Sequence, residues 1–208
     1  MLKIIIFWYR IMASKAAKRV LERDFKDVEI KAILNGYWLR YKVLGKKIEK
    51  EATFGGTLMV HLAAMSTAFY QELTQLGISD AKTTQYFYDI AWRVYKIMGK
   101  FSWTLAGLKY QSKAKRLVYA TQLFRLFPFN SPSYKWENIP QTDNSVSFNC
   151  TKCPVAEYFE TRGLSEFCVK TWCALDFPLA EMWDSKLERT STIAGGAKVC
   201  DFKWKPNN

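Results

Sequence analysis

The chain has 208 residues, of which 49% are hydrophobic and 16% aromatic. That composition excludes a disordered chain and is enough for one domain with a full core. The net charge is +12, and residues 1–50 alone hold thirteen Lys/Arg against five Asp/Glu, a net of +8. The basic residues are dispersed among apolar ones, which fits a solvated helix face. A nucleic-acid or membrane-surface role rests on charge alone and predicts steep salt dependence of binding.

In chain order, residues 5–24 have a helical period through Ile11, Met12, Ala16, Val20 and Leu21. A second helix is expected over 28–47. Gly55-Gly56 is read as a break, after which an apolar helix runs from Thr57 to about Leu76. Ser79 is an N-cap for a helix expected to close at Gly99, and a fifth runs from about Trp103 to Phe127, ended by Pro128. Lys109, Lys113, Lys115, Arg116 and Arg125 fall on the polar side of that fifth helix. No stretch is apolar for long enough to be a membrane span, and no secretory leader is evident in the opening residues.

Residues 128–145, with three prolines and many Asn, Ser and Asp, read as a linker between a helical region (1–127) and a cysteine-rich region (146–208). The two regions are expected to form one compact unit. Val146, Phe148 and Cys150 alternate as in a strand. Pro154 opens a short helix ended by Gly163, and Ser165 caps another reaching about Trp183, with a kink at Pro178. Lys186–Ile193 and Lys198–Lys205 flank Ala194-Gly195-Gly196-Ala197 as a hairpin. The expected class is α+β, with N-terminal helices packed on a small antiparallel sheet that ends in a C-terminal β-hairpin.

All five cysteines lie in the last third: Cys150, Cys153, Cys168, Cys173 and Cys200. The odd count, with no secretory leader evident, points to a reducing, cytoplasmic compartment. Cys150-x2-Cys153 is half of a zinc signature without its second half, so packing, a reactive thiol and a thiolate metal site all remain open. Cys173 and Asp176, three apart, share a helix face. Asp176 could orient a water or hold a substrate amine, or simply cap the segment restarted at Pro178. On a strand, Glu188 and Thr190 would face one way and Arg189 the other, and an inward Arg needs a carboxylate. A substrate carboxylate is a natural partner, and Asp201 could supply one across the hairpin. His61, among Val60, Leu62 and Met65, reads as a core histidine rather than a general base. The motifs of the common serine hydrolases, nucleotide binders and zinc proteases are absent.

The runs TKCPVAEYFETRGL, CALDFPLAE and LERTSTIAGGAKVCDFKW together resemble the L-2-amino-thiazoline-4-carboxylic acid hydrolase family, closely over 149–204. The family's motif positions fall here on Cys153, Glu157, Gly163, Cys173, Asp176, Arg189, Thr190, Thr192, Gly196, Cys200, Asp201 and Phe202. The hairpin is similar, more distantly, to ligand-sensing domains of the 4-vinyl-reductase type, in which a cysteine cluster can hold zinc. The resemblance implies a hydrolase that opens a small cyclic amidine carboxylate to a carbamoyl-cysteine; the alternative is a non-catalytic small-ligand sensor or binding module. Residue chemistry then suggests Cys173, Asp176 and Asp201 as the catalytic set and Arg189, Thr190, Thr192 and Glu188 as substrate-binding. If a metal such as zinc is present, Cys153, Cys173 and Cys200 are its expected ligands. The expected partner is a small molecule rather than nucleic acid, and a homo-oligomer is compatible with the sequence.

Overall fold

A computed structural model describes residues 1–141 and 143–207. The architecture is α+β, as expected. Helices α1 (Leu2–Leu21), α2 (Asp27–Leu44), α3 (Phe54–Gln75), α4 (Asp80–Lys109) and α5 (Lys113–Leu126) precede a four-stranded antiparallel sheet. Strands β1 (Lys135–Ile139) and β2 (Val146–Lys152) are followed by the short helices α6 (Pro154–Glu160), α7 (Ser165–Lys170) and α8 (Asp176–Met182). Strands β3 (Ser185–Glu188) and β4 (Cys200–Pro206) complete the sheet, whose order is β1-β2-β4-β3. Among the described residues no helix is long and apolar enough to cross a membrane.

The centre of the helical layer is α3, whose buried residues run almost unbroken from Gly55 to Phe69. Gly55-Gly56 does not break the chain. Thr53 caps the helix by accepting from the Gly56 amide at 2.9 Å, so the glycines form its first turn. A Cβ at Gly55 would lie 2.2 Å from the Pro128 carbonyl oxygen, so the absence of a side chain lets the 128–133 segment close over the helix start. Ser133 accepts there from the Thr53 amide at 2.9 Å.

Gly99 does not end α4 either. Ser79 caps the helix as expected, accepting from the Lys82 amide, but the helix continues ten residues past Gly99, to Lys109. An isolated glycine costs a helix about 1 kcal/mol, and packing outweighs that here. A Cβ at position 99 would lie 2.4 Å from Met182 and 2.5 Å from Leu179. The buried Trp183 indole donates to the Gly99 carbonyl at 2.9 Å. Trp183 also meets Phe124 edge-on at 5.1 Å and packs on Trp204 at 5.4 Å, tying α4, α5 and the sheet together.

The stretch expected as a linker carries strand β1. Tyr134 is buried, Trp136 donates to the Phe129 carbonyl at 2.7 Å, and Trp136 pairs in register with Cys150. The helix expected from Ser165 to Trp183 is instead α7, a 3-10 turn at Cys173–Leu175, and α8. In the hairpin, β3 stops at Glu188, so Arg189 and Thr190 lie in the connecting loop rather than on a strand.

Across β2 and β4 the pairs Cys150↔Cys200, Phe148↔Phe202 and Val146↔Trp204 alternate with Asn149↔Asp201 and Ser147↔Lys203. The two-residue period therefore places thiols and aromatic rings on one face and polar residues on the other. The first face lies under the helices and encloses a cavity.

Candidate functional site

The cavity has a volume of about 530 Å³ and is walled by α1, α3, α4, α5 and the inner face of the sheet. Its lining is overwhelmingly aliphatic and aromatic. At one end it includes all five cysteines together with Asp176 and Arg189.

Arg189 reaches this end because it directly follows β3, and α8 presents Asp176 to it. Its Nη1 donates to Asp176 Oδ2 at 2.7 Å and its Nη2 to the Cys173 carbonyl at 2.8 Å. The two side chains are only 5% and 19% exposed. The guanidinium lies 5.0 Å from the Phe177 ring centre and 5.4 Å from that of Phe202. Tyr95 on α4 donates to the other Asp176 oxygen at 3.4 Å. Burial raises the Asp176 pKa, opposed by Arg189 and Tyr95. Arg189 thus meets its carboxylate on α8 and not at Asp201.

Burial raises the thiol pKa of Cys150 to about 12 and of Cys200 to about 11, and puts Cys153 well above its ordinary value. Cys168 is also raised, first because its hydrogen goes to Cys173 and then by burial. Cys173 is the exception. Its pKa is lowered, chiefly by the Cys168 hydrogen bond, with Arg189 and the Thr192 hydroxyl helping against burial and the Asp176 charge. The direction follows from position: Cys173 is half-buried beside a guanidinium, whereas Cys168 is fully enclosed.

The other sequence candidates lie apart from this cluster. Asp201 faces away from the cavity and ties down the loop after β3. It accepts from the Thr190 and Ser191 amides at 3.0 and 2.6 Å and from both hydroxyls at 2.8 Å. Burial works against that arrangement, yet the four donors hold its pKa down at about 2. Thr190 is thereby engaged with Asp201. Thr192 caps the 3-10 turn Ile193–Gly195, accepting from the Gly195 amide at 3.0 Å. Glu188 pairs with Lys205 at 2.8 Å on the polar face of the sheet. His61 shares a 3.0 Å hydrogen bond with the Tyr41 hydroxyl, away from the cavity.

Cys153, Cys173 and Cys200 all line the cavity, but they do not form a closed donor set. Cys153 accepts from the Ala156 amide at 3.5 Å as the cap of α6, and Cys200 accepts from the Ile193 amide at 3.2 Å. Among the described residues no three His, Cys, Asp or Glu side chains converge closely enough to hold a metal ion.

Sequence reasoning missed Arg125 and Tyr134, both in the cavity wall. From sequence Arg125 reads as part of the polar side of its helix and Tyr134 as part of the linker. The signal for Tyr134 was available: Phe129, Tyr134 and Trp136 make that segment too aromatic for a solvated connection.

The fold and site define an α+β protein with a thiol-lined internal cavity between a helical layer and a small antiparallel sheet. The chain belongs to the L-2-amino-thiazoline-4-carboxylic acid hydrolase family, whose pattern matches residues 8–204. None of the curated proteins compared with it matches. Among solved structures it is loosely similar to an Fe(II) unliganded H-NOX protein from K. algicida. That match has 11% identity and a TM-score of 0.42 over 94% of this chain and 95% of that one. An H-NOX protein from S. oneidensis in the Fe(II)NO ligation state matches at 14% identity and a TM-score of 0.41, over 93% and 98%.

Proposed function

We propose that this chain is a hydrolase acting on a C–N or C–S bond of a small cyclic amidine carboxylate, such as the 2-amino-thiazoline-4-carboxylate in its family's name, with Cys173 as the nucleophile. The observation that carries the reading is the environment of that thiol. Of the five it alone is eased toward the thiolate, and it sits in the cavity wall with a hydrogen-bonding thiol and a guanidinium beside it.

In this reading the Cys173 thiolate adds to the amidine carbon. One ring bond to that carbon breaks, and its heteroatom leaves with a proton. Water then attacks the same carbon, loses its protons and expels the thiolate, leaving a carbonyl oxygen where the ring atom was. Asp176, whose charged form Arg189 and Tyr95 favour against burial, would accept a proton from that water. Arg189 acts by holding Asp176 and the Cys173 carbonyl together; two of its donors are already engaged there.

The second reading, a non-catalytic binding module, draws support from the cavity, which is far larger than one small ring needs. Turnover decides between them. Cys173→Ser should abolish hydrolysis of 2-amino-thiazoline-4-carboxylate, and Cys168→Ala, which removes the hydrogen-bond donor, should reduce it and raise the pH at which Cys173 is alkylated. A wild-type rate in Cys173→Ser would remove the nucleophile assignment, and no turnover by the wild-type protein would favour the binding module.

A further inference from the structure

The cavity is built for more than a small polar ring. At about 530 Å³ it falls in the range that encloses a drug-sized molecule. Its floor follows β4 through Cys200, Phe202 and Trp204, which a strand rise places about 13 Å from end to end. Met12, Ile97, Phe101 and Phe127 line it and are also exposed, so its mouth is apolar as well.

One charge in this wall is uncompensated. The guanidinium of Arg125 on α5 lies 4.4 Å from the Phe148 ring centre. Phe148 stacks at 5.3 Å on Phe202, the ring beneath Arg189. Arg189 has Asp176; among the described residues no carboxylate pairs with Arg125. One of its nitrogens, Nη1, donates to Asn138 Oδ1 at 2.6 Å, while Nε is shut off from solvent without a partner. Burial correspondingly disfavours its charged form. In the same wall the Tyr134 hydroxyl and the Trp204 indole N–H are buried and also lack partners. A half-buried cation with one nitrogen sealed from solvent and unpartnered, beside two idle polar groups in an apolar wall, carries an energetic cost that an anionic ligand would remove.

We infer that the cavity takes an elongated apolar carboxylate, its carboxylate held by Arg125 and its apolar body lying along the Phe148–Phe202 floor toward the thiol cluster. Placing the scissile bond at Cys173 rests on the hydrolase reading above; the binding does not. The overall positive charge favours approach of such an anion.

Calorimetric titration with decanoate, butyrate and 1-decanol tests this without turnover. Decanoate should bind at least about a hundredfold more tightly than butyrate, since each buried methylene contributes about 0.8 kcal/mol. Arg125→Gln should weaken decanoate about tenfold, the worth of a charge-assisted contact, while leaving 1-decanol within about twofold. Arg125→Lys should restore part of the loss. The Gln variant removes an unpaired charge, so its thermal midpoint without ligand should not fall, which controls for misfolding. Equal affinities for decanoate and butyrate, or decanoate binding unchanged in Arg125→Gln, would overturn the inference. A protein that binds decanoate as expected but hydrolyses neither the thiazoline nor its long-chain analogues would remove the hydrolase reading and leave this one in place.

Discussion

The two faces of the small sheet carry the same kind of interaction in opposite settings. On the cavity side Arg189 and Asp176 meet at 2.7 Å with 5% and 19% of their side chains exposed; on the outer side Lys205 and Glu188 meet at 2.8 Å with 42% of each exposed. By distance alone the pairs are equivalent. Desolvation separates them. The inner pair must remain complete because either partner alone would be a buried charge, whereas the outer pair exchanges one hydrated state for another.

The largest effect should come from breaking the inner pair. Arg189→Gln leaves Asp176 buried without its cation and should cost about 3–5 kcal/mol, read from denaturant midpoints. The double change Arg189→Met with Asp176→Leu should recover most of that stability. If the single and double variants were equally unstable, the charge pair would not be the cause.

An intermediate effect belongs to Asp201, which accepts from four donors on the polar face of the sheet. Asp201→Ala should cost about 1 kcal/mol, the size of a lost cap. Because its folded pKa is depressed to about 2, its stabilisation is complete above the ordinary aspartate range and is lost as pH falls from there through about 2. Urea midpoints at pH 5 and pH 2.5 should therefore differ less in Asp201→Ala than in the wild type. An unchanged difference would contradict the cap.

The smallest effect is expected outside. Glu188→Gln should leave the midpoint where it is, and adding salt to the wild type should move it little. A clear loss of stability there would contradict the contrast between the faces. A kinetic probe sharpens the same comparison from the inside: iodoacetamide should label Cys173 first and Cys168 and Cys150 slowly, as measured by peptide mass. Preferential labelling of Cys150 would contradict the assigned order of thiol reactivity.

The helices of the front half were legible because period and caps agree with packing: α1, α2 and α3 lie within a few residues of their expected limits, and Ser79 caps α4. What sequence could not supply was the effect of contacts distant in the chain. Gly99 looks like a stop until α8 is seen packed against it. Residues 128–145 look like a linker until Tyr134 and Trp136 are seen seated in the wall and sheet. At the site, Cys173 and Asp176 both line the cavity, but from a 3-10 turn and the start of α8 rather than from the one helix face their spacing suggests. The partner of Arg189 was not legible either, because β3 ends one residue before it and turns it toward α8. Arg125 was the hardest case, since a basic residue on a helix normally reads as solvated and only the closure of the sheet beneath it shows otherwise.

Gly99 has one more consequence. Because α8 rests through Leu179 and Met182 on the bare backbone of α4, the bulk at position 99 gauges how far that short helix stands from the bundle, and α8 carries Asp176. A methyl group there would meet the ends of those two side chains, which must turn aside or let α8 move outward as on a shim. Engineering aimed at new substrates could therefore tune the thiol's surroundings from a position that touches neither thiol nor ligand.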